Sequence, residues 1–290
     1  MKSSEGLHLK TYWLLFLMVT FGPVGDILLG KGIPNLMAQY PTAMSLRLFV
    51  GTATVGVLIF SALILGGMVL LYGFAWHFAA RAFGEERIPT WLGMPGDYYR
   101  DAFWIGLGGA SLWIGLNRLL GVVSPWWPTG HRAYPAHFGD SFDAMFPAAT
   151  VIGGTLLRAL FLTGIFALAS SVLGAEVRVR WVRMLLFLAV AASLVSNWGT
   201  PADFFKQFLL NAILLGIIVN GIRRVSRFNL LGLFLVIASV DLATGALELL
   251  SQPDSFYHTQ GYLVVATLAL LLGLPLMAWR LSPSEKLSPA

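Results

Sequence analysis

Cysteine is absent from this chain. That excludes disulfides, thiolate metal ligands and thiol nucleophiles, and it leaves the redox compartment undetermined. Charge is scarce too. Asp, Glu, Lys and Arg make up 11% of the residues, where a soluble protein carries about a quarter. The five histidines (His8, His77, His131, His137 and His258) never fall at i, i+4 spacing, so the sequence offers no helical metal-ligand pair. Walker, Rossmann and zinc motifs are missing, and no polar stretch is long enough for a separate soluble domain. The residues imply no cofactor and no metal.

What is present is apolar. Hydrophobic residues make up 57% of the 290. Runs long enough to cross about 30 Å of hydrocarbon recur along the whole length. Eight are expected: 12–30, 48–76, 102–123, 147–173, 184–198, 205–222, 229–250 and 262–279. The fold class is therefore all-α, a single integral membrane domain of about eight transmembrane helices. The first run follows Lys2 and Lys10 and continues to Leu29 with no Ala-x-Ala site after it, so it reads as a retained span, with a cleaved signal as the minor alternative. A net charge of +5 raises the question of nucleic acid. The basic residues are instead scattered through short loops, which fits membrane topology and no nucleic-acid partner.

Those loop charges set an orientation. With the amino terminus in the cytoplasm, thirteen of the nineteen basic residues fall inside and five outside, and Arg158 lies within the membrane. The bias predicts cytoplasmic amino and carboxyl ends. It also supports the fifth run, marginal at fifteen residues: if that run did not cross, Arg223, Arg224 and Arg227 would move outside. Two linkers, 124–146 and 77–100, are rich in Trp, Tyr, Phe or charge, and are expected to lie along the outer and inner interfaces. A short pattern precedes three spans: Pro95-Gly96-Asp97-Tyr98-Tyr99-Arg100, Pro201-Ala202-Asp203-Phe204-Phe205-Lys206, and more loosely Pro253-Asp254-Ser255-Phe256-Tyr257-His258. Each offers an acceptor for orphan N–H groups at a helix start, with aromatics at headgroup level.

Charges inside the runs are the candidates for function, because ionisable groups in hydrocarbon are costly and must be paired or hydrated. Arg158 lies about 16 Å below the outer end of the fourth span, and Asp241 about 18 Å along the seventh from the inner side. Both fall near the midplane. Thr244, Gly245 and Glu248 follow Asp241 at i+3, i+4 and i+7, which places all four on one stripe. Gly154 and Thr155 beside Arg158 are small enough for a close helix approach. Asp26 in the first span and Arg118 and Asn117 in the third add polar groups in the outer half, with Asn211 in the sixth. Gly22-Pro23-Val24-Gly25 can break the first helix just before Asp26. Two readings are open. Arg158 and Asp241 form a structural ion pair that fixes register, or the charged set lines an outward-opening polar cavity.

Two resemblances accompany this reading. The segment from Leu15 to Gly32, with Gly25, Asp26, Leu28, Leu29, Lys31 and Gly32, resembles the first helix of bacterial drug/metabolite transporters of the EamA type. It implies a transporter-like membrane protein. From Phe83 onward the chain resembles membrane regions of bacterial CAAX-type (CPBP) intramembrane protease-like proteins. The matching stretches are Gly84-Glu85-Glu86-Arg87-Ile88-Pro89-Thr90-Trp91, Ser196-Asn197-Trp198-Gly199-Thr200-Pro201-Ala202-Asp203 and Glu248-Leu249-Leu250-Ser251-Gln252-Pro253-Asp254. The chemistry of that family needs Glu-Glu-x-x-x-Arg and histidines in later helices. Here Thr90 stands at the arginine position, and no later span has an internal histidine. The catalytic motif is missing, and no enzyme activity is expected.

The expectation is a transporter-like membrane protein of the bacterial cytoplasmic (inner) membrane. It would bind a small-molecule substrate or ion at Arg158, Asp241, Glu248, Asp26 and Arg118, with the lipid bilayer as its surroundings. The alternative is a non-catalytic membrane scaffold or partner subunit related to the CAAX-type proteases. A hydrated approach to Arg158 favours the first, and a dry, packed pair favours the second.

Overall fold

A computed structural model describes residues 44–83, 96–123, 144, 146–175, 180–193 and 229–281, with scattered helical residues between 201 and 216. Nearly all of the described residues are helical, and none lies in a strand. Six helices are defined: α1 (Leu46–Phe83), α2 (Gly96–Val123), α3 (Pro147–Ala175), α4 (Arg180–Ser193), α5 (Leu230–Leu250) and α6 (Ser255–Leu281). Four contain stretches long and apolar enough to cross a membrane: Leu46–Ala75, Pro147–Leu168, Leu230–Leu250 and Ser255–Leu281. The described part of the chain is thus all-helical, and its four long apolar helices make this an integral membrane protein. Four of the expected spans, 48–76, 102–123, 147–173 and 262–279, lie within the six defined helices and are outgrown by them. α1 runs on to Phe83, into the expected inner interfacial linker, while α2 starts at Gly96 and α6 at Ser255. The first expected span and most of the 124–146 linker lie outside the described residues.

α5 is the centre of the bundle and packs against α2, α3 and α6. In its apolar window 61% of the residues are buried, against 6% in that of α1, which packs on α3. Between apolar helices in lipid there is little hydrophobic driving force, so close packing has to supply the attraction. Small residues allow it. A Cβ added to Gly106 of α2 would lie 2.6 Å from the Cβ of Leu235, and one on Gly232 of α5 would lie 2.9 Å from Ile105. On the α3 side, a Cβ on Gly245 would meet Val151 at 2.6 Å. Gly154, expected to provide that approach, has open space where its Cβ would be. The contact of α3 with α5 is made at Gly245 instead.

Polar contacts at the helix ends fix relative directions. Asn229 caps α5 by accepting from the Gly232 N–H at 2.8 Å, and its Nδ2 donates to the Tyr98 carbonyl at 2.9 Å. The Tyr98 hydroxyl in turn accepts from the Leu231 N–H at 3.4 Å. Burial, offset in part by that amide, pushes the Tyr98 phenol above the ordinary tyrosine value, so it stays a neutral hydroxyl. α2 and α5 therefore begin on the same face of the bundle. On the opposite face the Ala148 N–H donates to Gln260 Oε1 at 3.2 Å, which satisfies an orphan donor of α3 with a side chain of α6. α3 and α6 begin together there.

The hairpin at residues 251–254 lies on this second face, where α5 ends and α6 begins. Asp254 caps α6 by accepting from the Phe256 N–H at 2.8 Å, and His258 Nε2 lies 2.6 Å from the Gln252 carbonyl oxygen. The expected acceptor role therefore holds at Asp254. At the equivalent place in α2 it does not: Asp97 lies inside the first turn and pairs with Arg100 at 3.0 Å. Asp203 lies outside the described residues.

Candidate functional site

The centre of the site is a contact between α3 and α5. Arg158 Nη1 lies 3.5 Å from Asp241 Oδ2. The two spans that carry the depth-matched charges therefore do meet, and they run antiparallel, since Val151 lies against Gly245 one to two turns further along. The pair is lopsided. The Asp241 side chain is 9% exposed and that of Arg158 is 52% exposed. The contact is also loose, made by one nitrogen and one oxygen, whereas a charge-assisted hydrogen bond closes to about 2.7–2.9 Å and arginine commonly engages a carboxylate through two parallel bonds. Among the described residues Asp241 is the one ion-pair partner of Arg158, so most of the five guanidinium donors are left uncommitted.

Helical geometry says which way the open half faces. At 3.6 residues per turn, Ala148, Leu242 and Leu249 lie to one side of the α3–α5 contact. That side is covered by α6, through Val264, and all four are buried. Gly154 and Arg158 on α3, with Thr244 and Glu248 on α5, lie to the other side. Gly154 is exposed and Thr244 and Glu248 are half-buried. Phe161 and Ile165 continue the exposed face of α3 below Arg158. The exposed side of the α3–α5 seam therefore carries charged and polar groups, with aliphatic and aromatic groups beyond them.

The expected stripe of Asp241, Thr244, Gly245 and Glu248 is therefore present, but its members differ. Gly245 is filled by Val151. Thr244 donates to the Val240 carbonyl of its own helix at 2.8 Å. Glu248 keeps a covered carboxylate oxygen, Oε2, without a hydrogen-bond partner. The Thr150 and Thr155 hydroxyls on α3 are likewise covered and unpartnered, Thr155 in a residue that is 3% exposed. In a low-dielectric interior such atoms are unfavourable, by about 1–3 kcal/mol each. Thr155, one turn from Arg158, and Glu248, two turns from Asp241, give the seam polar atoms beyond its two charges.

The other candidates fall elsewhere. Arg118 is exposed on α2, which packs against α5 and α6. It stands nine residues, two and a half turns, beyond Gly109, and the spacing puts it on the opposite face of α2 from the one that meets Val236 of α5. The structure does not bring it to Arg158. Asp26 lies outside the described residues, as does Asn211. Among the described residues no cluster of three or more His, Asp or Glu is placed to hold a metal ion. Asn229 and Gln260, which tie the helix ends together, are not among the residues the sequence singles out. Asparagine directly before an apolar run is nonetheless a capping signal, whereas a mid-chain glutamine that caps another helix has no local signature. No protein-family model, curated protein or solved structure matches the chain.

Proposed function

We propose that this chain is a transporter-like membrane protein that holds a small molecule or ion at Arg158 and Asp241, with Glu248 at the outer end of the same seam. One observation carries the reading. A guanidinium in the middle of an apolar helix is half uncovered and only loosely paired. An ion pair kept to lock two helices together is expected to be enclosed and closely bonded, because each charge in hydrocarbon must be fully compensated. Here the carboxylate is enclosed and the guanidinium is left half open on the exposed side of the α3–α5 seam.

The topology proposed for the whole chain is eight spans with both ends in the cytoplasm, in a bacterial cytoplasmic membrane. α3 ends on the face where α5 begins, which is compatible with the two short spans proposed between them. The likeness of the 15–32 segment to EamA-type transporters agrees with the transporter-like reading, not with a helix count. The second reading, a non-catalytic scaffold or partner subunit related to CAAX-type proteases, draws on α1. Its long apolar surface, with Leu58, Leu63 and Leu70 more than 60% exposed, is wide enough to take lipid or another helix.

Ligand-dependent stability separates the two. The purified chain is heated with a panel of anionic, cationic, zwitterionic and neutral solutes, beside a variant carrying both Arg158→Leu and Asp241→Leu. A ligand at a hundred times its Kd stabilises the folded state by about 2.7 kcal/mol. At least one solute class is expected to raise Tm in the native chain and not in the double variant. No shift in the native chain, or the same shift in both, defeats the transporter-like reading in favour of the scaffold.

A further inference from the structure

The exposed side of the α3–α5 seam carries a charged group of each sign, at different depths. Arg158 offers the uncovered half of its guanidinium. Glu248, seven residues beyond Asp241 and hence about 10 Å further along the axis, offers a carboxylate with no ion-pair partner among the described residues and one covered oxygen without any hydrogen bond. Side chains on a helix lean toward its amino terminus. Because α3 and α5 are antiparallel, the Arg158 side chain leans toward the end where Glu248 stands, and that of Glu248 leans back toward Arg158. The two converge without meeting in an ion pair. Gly154 lies one turn from Arg158 on that path and contributes no side chain. Nothing lies within 4 Å of where its Cβ would be, so the space between the two charges is open from the α3 side. Leu247 on α5 supplies exposed apolar surface near its Glu248 end, and Phe161 and Ile165 supply more on α3 past Arg158.

We infer that the ligand of this seam is a small zwitterion with an apolar substituent. Its anionic end binds Arg158, its ammonium end binds Glu248, and the apolar part rests against the flanking side chains. Each open charge on the seam is then compensated by the opposite charge of one molecule. A purely anionic ligand leaves Glu248 unpaired, and a purely cationic one leaves the open half of Arg158 unpaired. In an apolar surrounding either is unfavourable. This inference rests on the reading of Arg158 and Asp241 as a binding site and adds the class of ligand to it.

The test uses the full chain and three related probes: leucine, N-acetylleucine, which lacks the ammonium, and leucinamide, which lacks the carboxylate. Each is titrated alone and read by thermal stabilisation. Leucine is expected to bind at least tenfold more tightly than either relative. In Glu248→Gln, which keeps the shape of the side chain, leucine is expected to fall to the affinity of N-acetylleucine, with N-acetylleucine itself unchanged. Equal binding of leucine and either relative by the native chain overturns the inference and needs no variant to show it. So does a leucine preference that survives Glu248→Gln, or a native chain that binds none of the three. In that last case a different solute held at Arg158 and Asp241 leaves the site reading standing while the zwitterion falls.

Discussion

Arg158→Leu is expected to destabilise the bundle by about 3–5 kcal/mol, the range for removing one partner of a buried charge pair. The cause is what it leaves behind. Asp241 is the enclosed member, so without the guanidinium its carboxylate stays in the core between α3 and α5 with nothing to compensate it. Arg158→Leu combined with Asp241→Leu removes both charges and is expected to recover most of the loss, since a well-packed apolar pair replaces an ion pair at little cost. Asp241→Leu alone is expected to be milder than Arg158→Leu, because the arginine it orphans is half uncovered and can take up water. Chemical unfolding of the four proteins in one detergent gives the coupling energy directly. A double variant no more stable than Arg158→Leu is the outcome that sinks the pairing.

The second large effect is steric and lies on the opposite side of α5. Gly106→Leu is expected to push α2 away from α5 and to destabilise by about 3 kcal/mol, the upper end of what overpacking costs. The obstructing atom is the Cβ of Leu235, 2.6 Å from where the new Cβ would sit. A Cβ is fixed to the backbone and cannot swing aside, so the helices themselves must move. Gly108→Leu is the matched control, on the same helix and equally bulky, but with nothing within 4 Å of its Cβ. It is expected to change stability by no more than about 0.5 kcal/mol. Equal effects of the two substitutions on unfolding would show that helix propensity, and not the contact with α5, governs the position.

Much of the site is legible in the sequence, because depth in a membrane is a one-dimensional quantity. Counting residues from each end of two spans puts Arg158 and Asp241 at the same level, and the fold joins them. Periodicity does the same for Glu248, which shares the Asp241 side of α5. What depth cannot give is azimuth. In a soluble helix the polar face marks the outside, but these helices are apolar all round, so nothing in the sequence of α2 shows that Arg118 faces away from α5. The same blindness explains the glycines. Gly154 and Gly245 look alike in sequence, yet Val151 fills the space at Gly245 while Gly154 stays open. That difference matters, since it leaves the approach to the guanidinium free. Helix starts are legible where an acceptor directly precedes the apolar run, as at Asp254. They mislead at Asp97, where the helix begins one residue earlier and the carboxylate goes to Arg100.

Binding at this seam requires that water reach the open half of Arg158. The chain has no cysteine of its own, so Gly154→Cys creates the single thiol, on the exposed face of α3 one turn from Arg158. A membrane-impermeant thiol reagent is added on the side of the α5–α6 hairpin, with Ser251→Cys in that hairpin as the reference. A thiol in water ionises and reacts, and one facing hydrocarbon does not. Gly154→Cys is expected to be labelled at a rate comparable to Ser251→Cys. Full labelling at Ser251→Cys with none at Gly154→Cys would contradict a hydrated approach to Arg158 and leave Arg158 and Asp241 as a structural pair in a dry seam.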